Sequence, residues 1–211
     1  MGNPLPMSAL EALDRLREGN RRFATGELSS ETRPSHSRVA ALAGQAPFAI
    51  ILGCSDSRVP AELVFGQGLG DLFVIRVAGN IVAPSQVGSV EFAAASFGTR
   101  LVVVLGHSDC GAILATLDEI QRPAEHQSPN LRAIVNRVRP SIEGLLDSEL
   151  RHDREALVRR SVRANVRASV DHLRHGSEIL ENLILTEGLR VVGAEYSLET
   201  GVVEFFDGEG G

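Results

Sequence analysis

Three side chains in this sequence have the donor types and placement needed to hold a transition metal: Cys54, His107 and Cys110. The two cysteines are the only ones in the chain. Thiolate and imidazole are borderline-soft donors of the kind zinc takes, and three protein ligands in place of four leave one position for water or a substrate. The set is therefore catalytic in form. Two other readings compete. Isolated cysteines are most often small buried hydrophobes, yet Cys54 opens the polar run Cys54-Ser55-Asp56-Ser57-Arg58, and Cys110 lies in Gly106-His107-Ser108-Asp109-Cys110-Gly111. Core cysteines rarely keep such charged company. A disulfide between the two is the one pairing available. The amino terminus carries neither the basic nor the apolar region of a secretory signal, so a reducing cytoplasm is the expected compartment and a disulfide is not expected.

The elements that must position these ligands are visible in the apolar pattern. The run at 48–53 (FAIILG) ends just before Cys54, and the run at 101–106 (LVVVLG) ends just before His107. With the run at 72–77, they read as strands at 48–52, 72–77 and 101–105 that are apolar on both sides, with a helix over 87–97 between the last two. Such runs separated by helices predict an α/β fold, with a mostly parallel central sheet flanked by helices. An amphipathic helix is expected over 9–23, followed by a polar loop or arm over 26–37. Helices are expected over 128–150 and 161–186, the second with a buried stripe of Val162, Val166, Val170 and Leu173. Strands at 189–194 and 202–206, joined through Glu199-Thr200-Gly201, predict a closing hairpin and hence an antiparallel edge strand. Chain length and a 43% hydrophobic content fit one domain spanning 1–211, with a helical arm over about 1–40. In such sheets ligands bind beyond the carboxyl ends of the strands, where both halves of the cluster fall. A helix starting near Cys110 would further favour its thiolate.

Composition removes several classes of function. A net charge of −6 leaves no electrostatic footprint for nucleic acid, and with no Trp and one Tyr there are few stacking platforms for bases. No apolar run approaches the roughly 18 residues of a membrane span. Weaker motifs have plain readings. His172 and His175 share a helix at i and i+3 without a third ligand nearby and read as surface histidines. Gly66-x-Gly68-x-Gly70 is followed by Asp71 where a dinucleotide fingerprint needs glycine and reads as a turn. Gly79-Asn80 and Gly111 read as places of close backbone approach, and Asp109 as a helix-capping residue.

Taken together, Cys54-x-Asp56-x-Arg58 and the later His107-x-x-Cys110-Gly111 resemble the β-class carbonic anhydrases. The likeness is close over 45–115, where it includes Asp71-Leu72-Phe73-Val74-Ile75-Arg76-Val77-Ala78-Gly79-Asn80, and weaker through 161–186 and the closing strands. The resemblance implies zinc-dependent, reversible hydration of carbon dioxide to bicarbonate and a proton. It implies one zinc ion per chain on Cys54, His107 and Cys110, with Asp56 orienting the nucleophile and Arg58 holding Asp56 off the metal. It also implies a substrate pocket that includes Gln45, Phe73, Ala78, Phe92 and Gly111. Phe92 stands where one branch of the family has tyrosine, and Ala78 where it has valine. Ile51 stands where the bicarbonate-regulated branch has tryptophan, so that regulation is not expected, although Arg76 and Tyr196 match its other members. A homodimer or dimer-based tetramer is implied, with carbon dioxide and bicarbonate as small-molecule partners and neither nucleic acid nor membrane. Two alternatives share the fold: a zinc- or bicarbonate-binding protein without turnover, and a hydrolase of carbon disulfide or carbonyl sulfide.

Overall fold

The computed structural model describes residues 7–27, 44–121 and 128–208. Five strands form one sheet: β1 (Ala49–Gly53), β2 (Leu72–Arg76), β3 (Leu101–His107), β4 (Arg190–Tyr196) and β5 (Val203–Asp207). Their order is β2-β1-β3-β4-β5, parallel throughout except for β5, which pairs antiparallel with β4. This is the expected α/β architecture. Every residue of β1 and β3 is buried, which is why their sequences are continuous apolar runs and not alternating ones.

Alternate strand residues face two different layers. Ile51, Leu101, Val103, Leu105, Val192 and Ala194 pack with α1 (Ala9–Ala24), through Ala9, Ala12, Leu13 and Leu16. Ile50, Leu52, Val102, Val104 and Val191 pack with α3 (Pro84–Phe97), α6 (Arg154–His175) and α7 (Glu178–Thr186). The short helix α2 (Ala61–Val64) follows β1. Helices α4 (Gly111–Gln121) and α5 (Pro129–Ile142) close a third cluster that contains Cys54 and Cys110.

Local chemistry explains the element boundaries. Ser8 and Glu11 form a reciprocal capping box at the start of α1. The helix expected over 128–150 ends at Ile142 and continues as 3₁₀ turns at Glu143–Asp147 and Glu149–His152. Pro140 lacks the N–H that Asn136 would need, and Gly144 follows. The helix expected over 161–186 begins earlier, at Arg154, where the Asp153 carboxylate accepts from Ala156 N–H. It is also two helices: Gly176 ends α6, and Ser177 Oγ accepts from Leu180 N–H to start α7. Of the polar arm expected over 26–37, residues 28–37 lie outside the described residues.

Helix α1 docks on its own sheet. Asn20 Nδ2 donates to Val64 O at 3.1 Å and Gly201 O at 2.9 Å, while its Oδ1 accepts from Val203 N–H at 2.8 Å. On the preceding residue, a Cβ added to Gly19 would come within 1.8 Å of Phe65 O. Gly19→Ala should therefore destabilise the protein by roughly 3 kcal/mol in urea unfolding. Gly88→Ala is the matched control. Gly88 is exposed in α3 with nothing within 4 Å of its added Cβ, so the same change there should stabilise by about 0.5–1 kcal/mol.

Candidate metal centre

Two strand ends and one helix start bring the three ligands together. Cys54 directly follows β1, His107 is the last residue of β3, and Cys110 directly precedes α4. All three are buried, and their ligand atoms lie within 4.8 Å of one another. Among the described residues this is the one cluster of three or more His, Cys, Asp or Glu side chains able to hold an ion. His172 and His175 form none; His175 Nε2 lies 3.7 Å from Asp171.

The cysteines are free, with their sulfurs 4.0 Å apart. Two sulfurs bonded to one tetrahedral zinc at about 2.3 Å would be about 3.8 Å apart, so the observed separation fits a shared ion. With only a proton between them, the pair is asymmetric. The hydrogen bond from Cys110 draws the Cys54 thiol well below its usual range despite its burial, helped by His107 and by the Gly79 and Asp56 N–H groups. The Cys54 thiolate and burial push Cys110 far up, against the Ala112 and Ile113 N–H groups of α4 that face its sulfur. A dication would remove this competition by stabilising both thiolates.

His107 is fully buried. Its Nδ1 lies 2.8 Å from Ser108 O, so Nδ1 carries the proton and Nε2 presents a lone pair. That Nε2 has no hydrogen-bond partner among the described residues. A buried imidazole nitrogen without a partner, facing two thiols, is the observation a metal ligand set predicts. Burial pulls the imidazole pKa down, but Cys54, the Ser108 carbonyl and Asp56 outweigh it. Ser108 is itself held, its N–H donating to Tyr196 O and its Oγ accepting from Leu198 N–H, each at 3.0 Å.

Asp56 and Arg58 form the expected pair. Arg58 Nε donates to Asp56 Oδ1 at 2.9 Å, Nη2 to Oδ2 at 2.7 Å, and the Arg58 N–H to Oδ1 at 3.0 Å. These bonds hold the Asp56 carboxyl far below the usual carboxylate range, against its partial burial. Asp56 Oδ2 stands 3.9 Å from His107 Nε2. The loop carrying Cys54 and Asp56 is anchored by Arg76, which donates to Cys54 O at 3.1 Å and to Asp56 O at 2.6 Å.

Of the remaining expected site residues, Ala78 and Gly111 adjoin groups of the ligand cluster, and Gln45, Phe73 and Phe92 stand on other elements. Ala78 adjoins Gly79, whose N–H donates to Cys54 Sγ at 3.4 Å. Gly79 has φ 70, and a Cβ there would come within 3.0 Å of Ala112 Cβ, so close approach requires glycine. Gly111 follows Cys110, and an added Cβ would meet open space. Gln45 is exposed and precedes the amino end of β1; five residues of strand, about 16 Å, separate that end from Cys54. Phe73 pairs with Ile50 in mid-strand. Its ring lies 6.1 Å from those of Phe92 and Phe97, and Phe92 is 54% exposed. Asp109 is not the cap of α4. It stands at φ 53 outside the helix, and Cys110 supplies both the first accepting carbonyl, for Leu114 N–H at 3.0 Å, and a sulfur facing the next amides. Gly66–Gly70 form a turn, with Gly68 N–H donating to Asp71 Oδ2 at 2.9 Å.

Comparison with known proteins agrees with this geometry. The family model described as "Carbonic anhydrase" matches residues 49–203. Carbonic anhydrase 2 of Mycobacterium tuberculosis (strain CDC 1551 / Oshkosh) is 37% identical over 204 residues, covering 95% of this chain and 93% of its own. A carbonic anhydrase of Mycolicibacterium smegmatis is 42% identical over 142 residues, 67% of each chain. Among solved structures, a tetrameric β-carbonic anhydrase from the filamentous ascomycete Sordaria macrospora superposes with a TM-score of 0.72 at 26% identity, covering 90% of this chain and 93% of that one. A β-carbonic anhydrase of Aspergillus fumigatus gives 0.73 at 27% identity, covering 91% and 89%. With ligand set, sheet order and family match in agreement, the chain belongs to the β-class carbonic anhydrase family.

Proposed function

We propose that this chain catalyses the reversible hydration of carbon dioxide to bicarbonate and a proton on a zinc ion held by Cys54 Sγ, His107 Nε2 and Cys110 Sγ. The observation that carries this reading is the pair of free thiols 4.0 Å apart beside a buried, unpartnered imidazole nitrogen. A zinc ion held by these three residues would acidify a bound water and so supply a nucleophile near neutral pH. Two thiolates cancel the charge of the dication, so this chain must compensate with its own groups. Asp56, ionised and fixed by two side-chain bonds from Arg58, is a preorganised acceptor beside His107 Nε2. It takes a hydrogen bond from the attacking oxygen and turns a lone pair toward carbon dioxide. Stopped-flow measurement of carbon dioxide hydration tests the activity, and a rate no faster than buffer with zinc-loaded protein would exclude it.

The substrate pocket is proposed to be completed by a second copy. Phe73 lies in β2, the edge strand, with its ring beside that of half-exposed Phe92, and Gln45 is exposed before the amino end of β1, at the opposite end of that strand from Cys54. A dimer, alone or paired into a tetramer, would let these residues serve a neighbouring site. Sedimentation should then give an even number of chains. Gln45→Ala should lower turnover by roughly two- to tenfold, the worth of one hydrogen bond to substrate, with zinc content unchanged. Equal turnover would remove Gln45 from the pocket. No helix among the described residues is long and apolar enough to cross a membrane. The two free thiols support a reducing cytoplasm as the place of action.

A further inference from the structure

The least expected feature near the ligands is a stripe of polar residues on the buried face of α6. Ser161, Asn165 and Ser169 are spaced by four and are 0%, 2% and 5% exposed, on the same helix as the apolar Val162, Val166 and Val170. Buried polar side chains require partners, and two of the three find theirs in one turn far away in sequence. Asn165 Nδ2 donates to Gly79 O at 2.8 Å, and Ser169 Oγ donates to Asn80 O at 3.1 Å.

That turn, Ala78–Asn80, has an unusual backbone. Gly79 and Asn80 both occupy the left-handed region, with φ of 70 and 43, and Asn80 is buried. Asparagine tolerates this region better than most residues, yet two consecutive left-handed residues persist only where surrounding contacts hold them. At the metal centre the conformation aims Gly79 N–H at Cys54 Sγ, 3.4 Å away. It also seats Gly79 against Ala112, whose own amide faces Cys110 Sγ.

We infer that Asn165 and Ser169 are positioning residues of the metal centre, fixing the Ala78–Asn80 turn so that its amide supports the Cys54 thiolate as a ligand. This rests on the proposal that Cys54 binds the metal. Partners beyond the ligands orient them and tune their donor strength, and their loss typically weakens metal binding by about 10–100-fold. Asn165→Asp keeps the volume but replaces the donor to Gly79 O with an acceptor, and Ser169→Ala removes the second donor at small cost in volume. Ser161→Ala is the control from the same stripe, because Ser161 Oγ is buried without a hydrogen-bond partner among the described residues.

The test uses full-length protein with either zinc or cobalt(II). Zinc is competed away with a chromophoric chelator, and the cobalt form reports sulfur donation through its thiolate-to-metal charge-transfer absorption. Asn165→Asp and Ser169→Ala should each hold zinc about 10–100-fold more weakly and shift the charge-transfer band, while Ser161→Ala matches the parent in both. A merely structural role would lower the unfolding midpoint and leave the band in place. If both variants bind zinc as tightly as Ser161→Ala, with an unshifted band, Asn165 and Ser169 do not position the centre. A parent protein that binds neither metal at these thiols would overturn the metal-centre reading itself.

Discussion

Cys54→Ser, His107→Ala and Cys110→Ser should each strip the protein of bound zinc and abolish carbon dioxide hydration. Loss of a ligand exceeds loss of a supporting hydrogen bond, so a fall in metal affinity of more than about 100-fold is expected for each. The fold should survive. The three residues stand at element ends, and serine is close in shape to cysteine, so far-ultraviolet circular dichroism should be unchanged. A second readout separates metal loss from general damage. Ligand bound only to the native state raises stability by mass action, so a chelator should lower the melting temperature of the parent and leave that of each variant where it was. Full zinc occupancy in all three variants would sink the ligand assignment.

Arg58→Ala should reduce activity about tenfold or more without releasing zinc. In the parent, the guanidinium holds Asp56 in place by two side-chain bonds and keeps its carboxyl far below the usual range. For a depressed carboxylate the stabilisation is present above the unfolded pKa of about 3.9 and is lost as pH falls through it toward the folded value. Asp56 therefore stays charged across the neutral range in both proteins, and the activity lost in Arg58→Ala reflects placement and not charge. Freed of Arg58 and only 3.9 Å from His107 Nε2, the carboxylate can turn inward to take the fourth ligand position. Activity of the parent should rise with pH across neutrality, and the deficit of the variant should widen on mild acidification. Asp56→Ala should lose activity without ever closing the site. In crystals of Arg58→Ala at mildly acidic pH, Asp56 should be bonded to the metal. A carboxylate that remains away from it would refute this gating while leaving the family assignment intact.

Much of the scaffold and the ligand set can be read from residue type and order. Strands buried on both faces must be apolar throughout, and the runs before Cys54 and His107 are; the rule that ligands gather at the carboxyl ends of parallel strands then places both. Asp56 and Arg58 meet because two residues of separation at a strand end lets the guanidinium reach back. What resisted reading depends on long-range packing or on the backbone. The break between α6 and α7 rests on Ser177 Oγ capping Leu180 N–H, a bond open to any serine beside a glycine. Residue type favours Asp109 as the cap of α4, but Asp109 stands at φ 53 outside the helix and Cys110, directly before Gly111, supplies the first accepting carbonyl. The amide of Gly79 leaves no side-chain trace at all. Its supports, Asn165 and Ser169, were visible only as polar interruptions on an apolar helix face. Gln45, Phe73 and Phe92 are grouped by resemblance alone, and they come from three different elements: the segment before β1, the strand β2 and the helix α3.

The most direct test of the account is a titration of metal-free protein with zinc, followed by stopped-flow hydration of carbon dioxide. Activity should rise in proportion to added zinc and stop rising at one ion per chain. A protein that takes up one zinc per chain and still hydrates carbon dioxide no faster than buffer would contradict the proposed function.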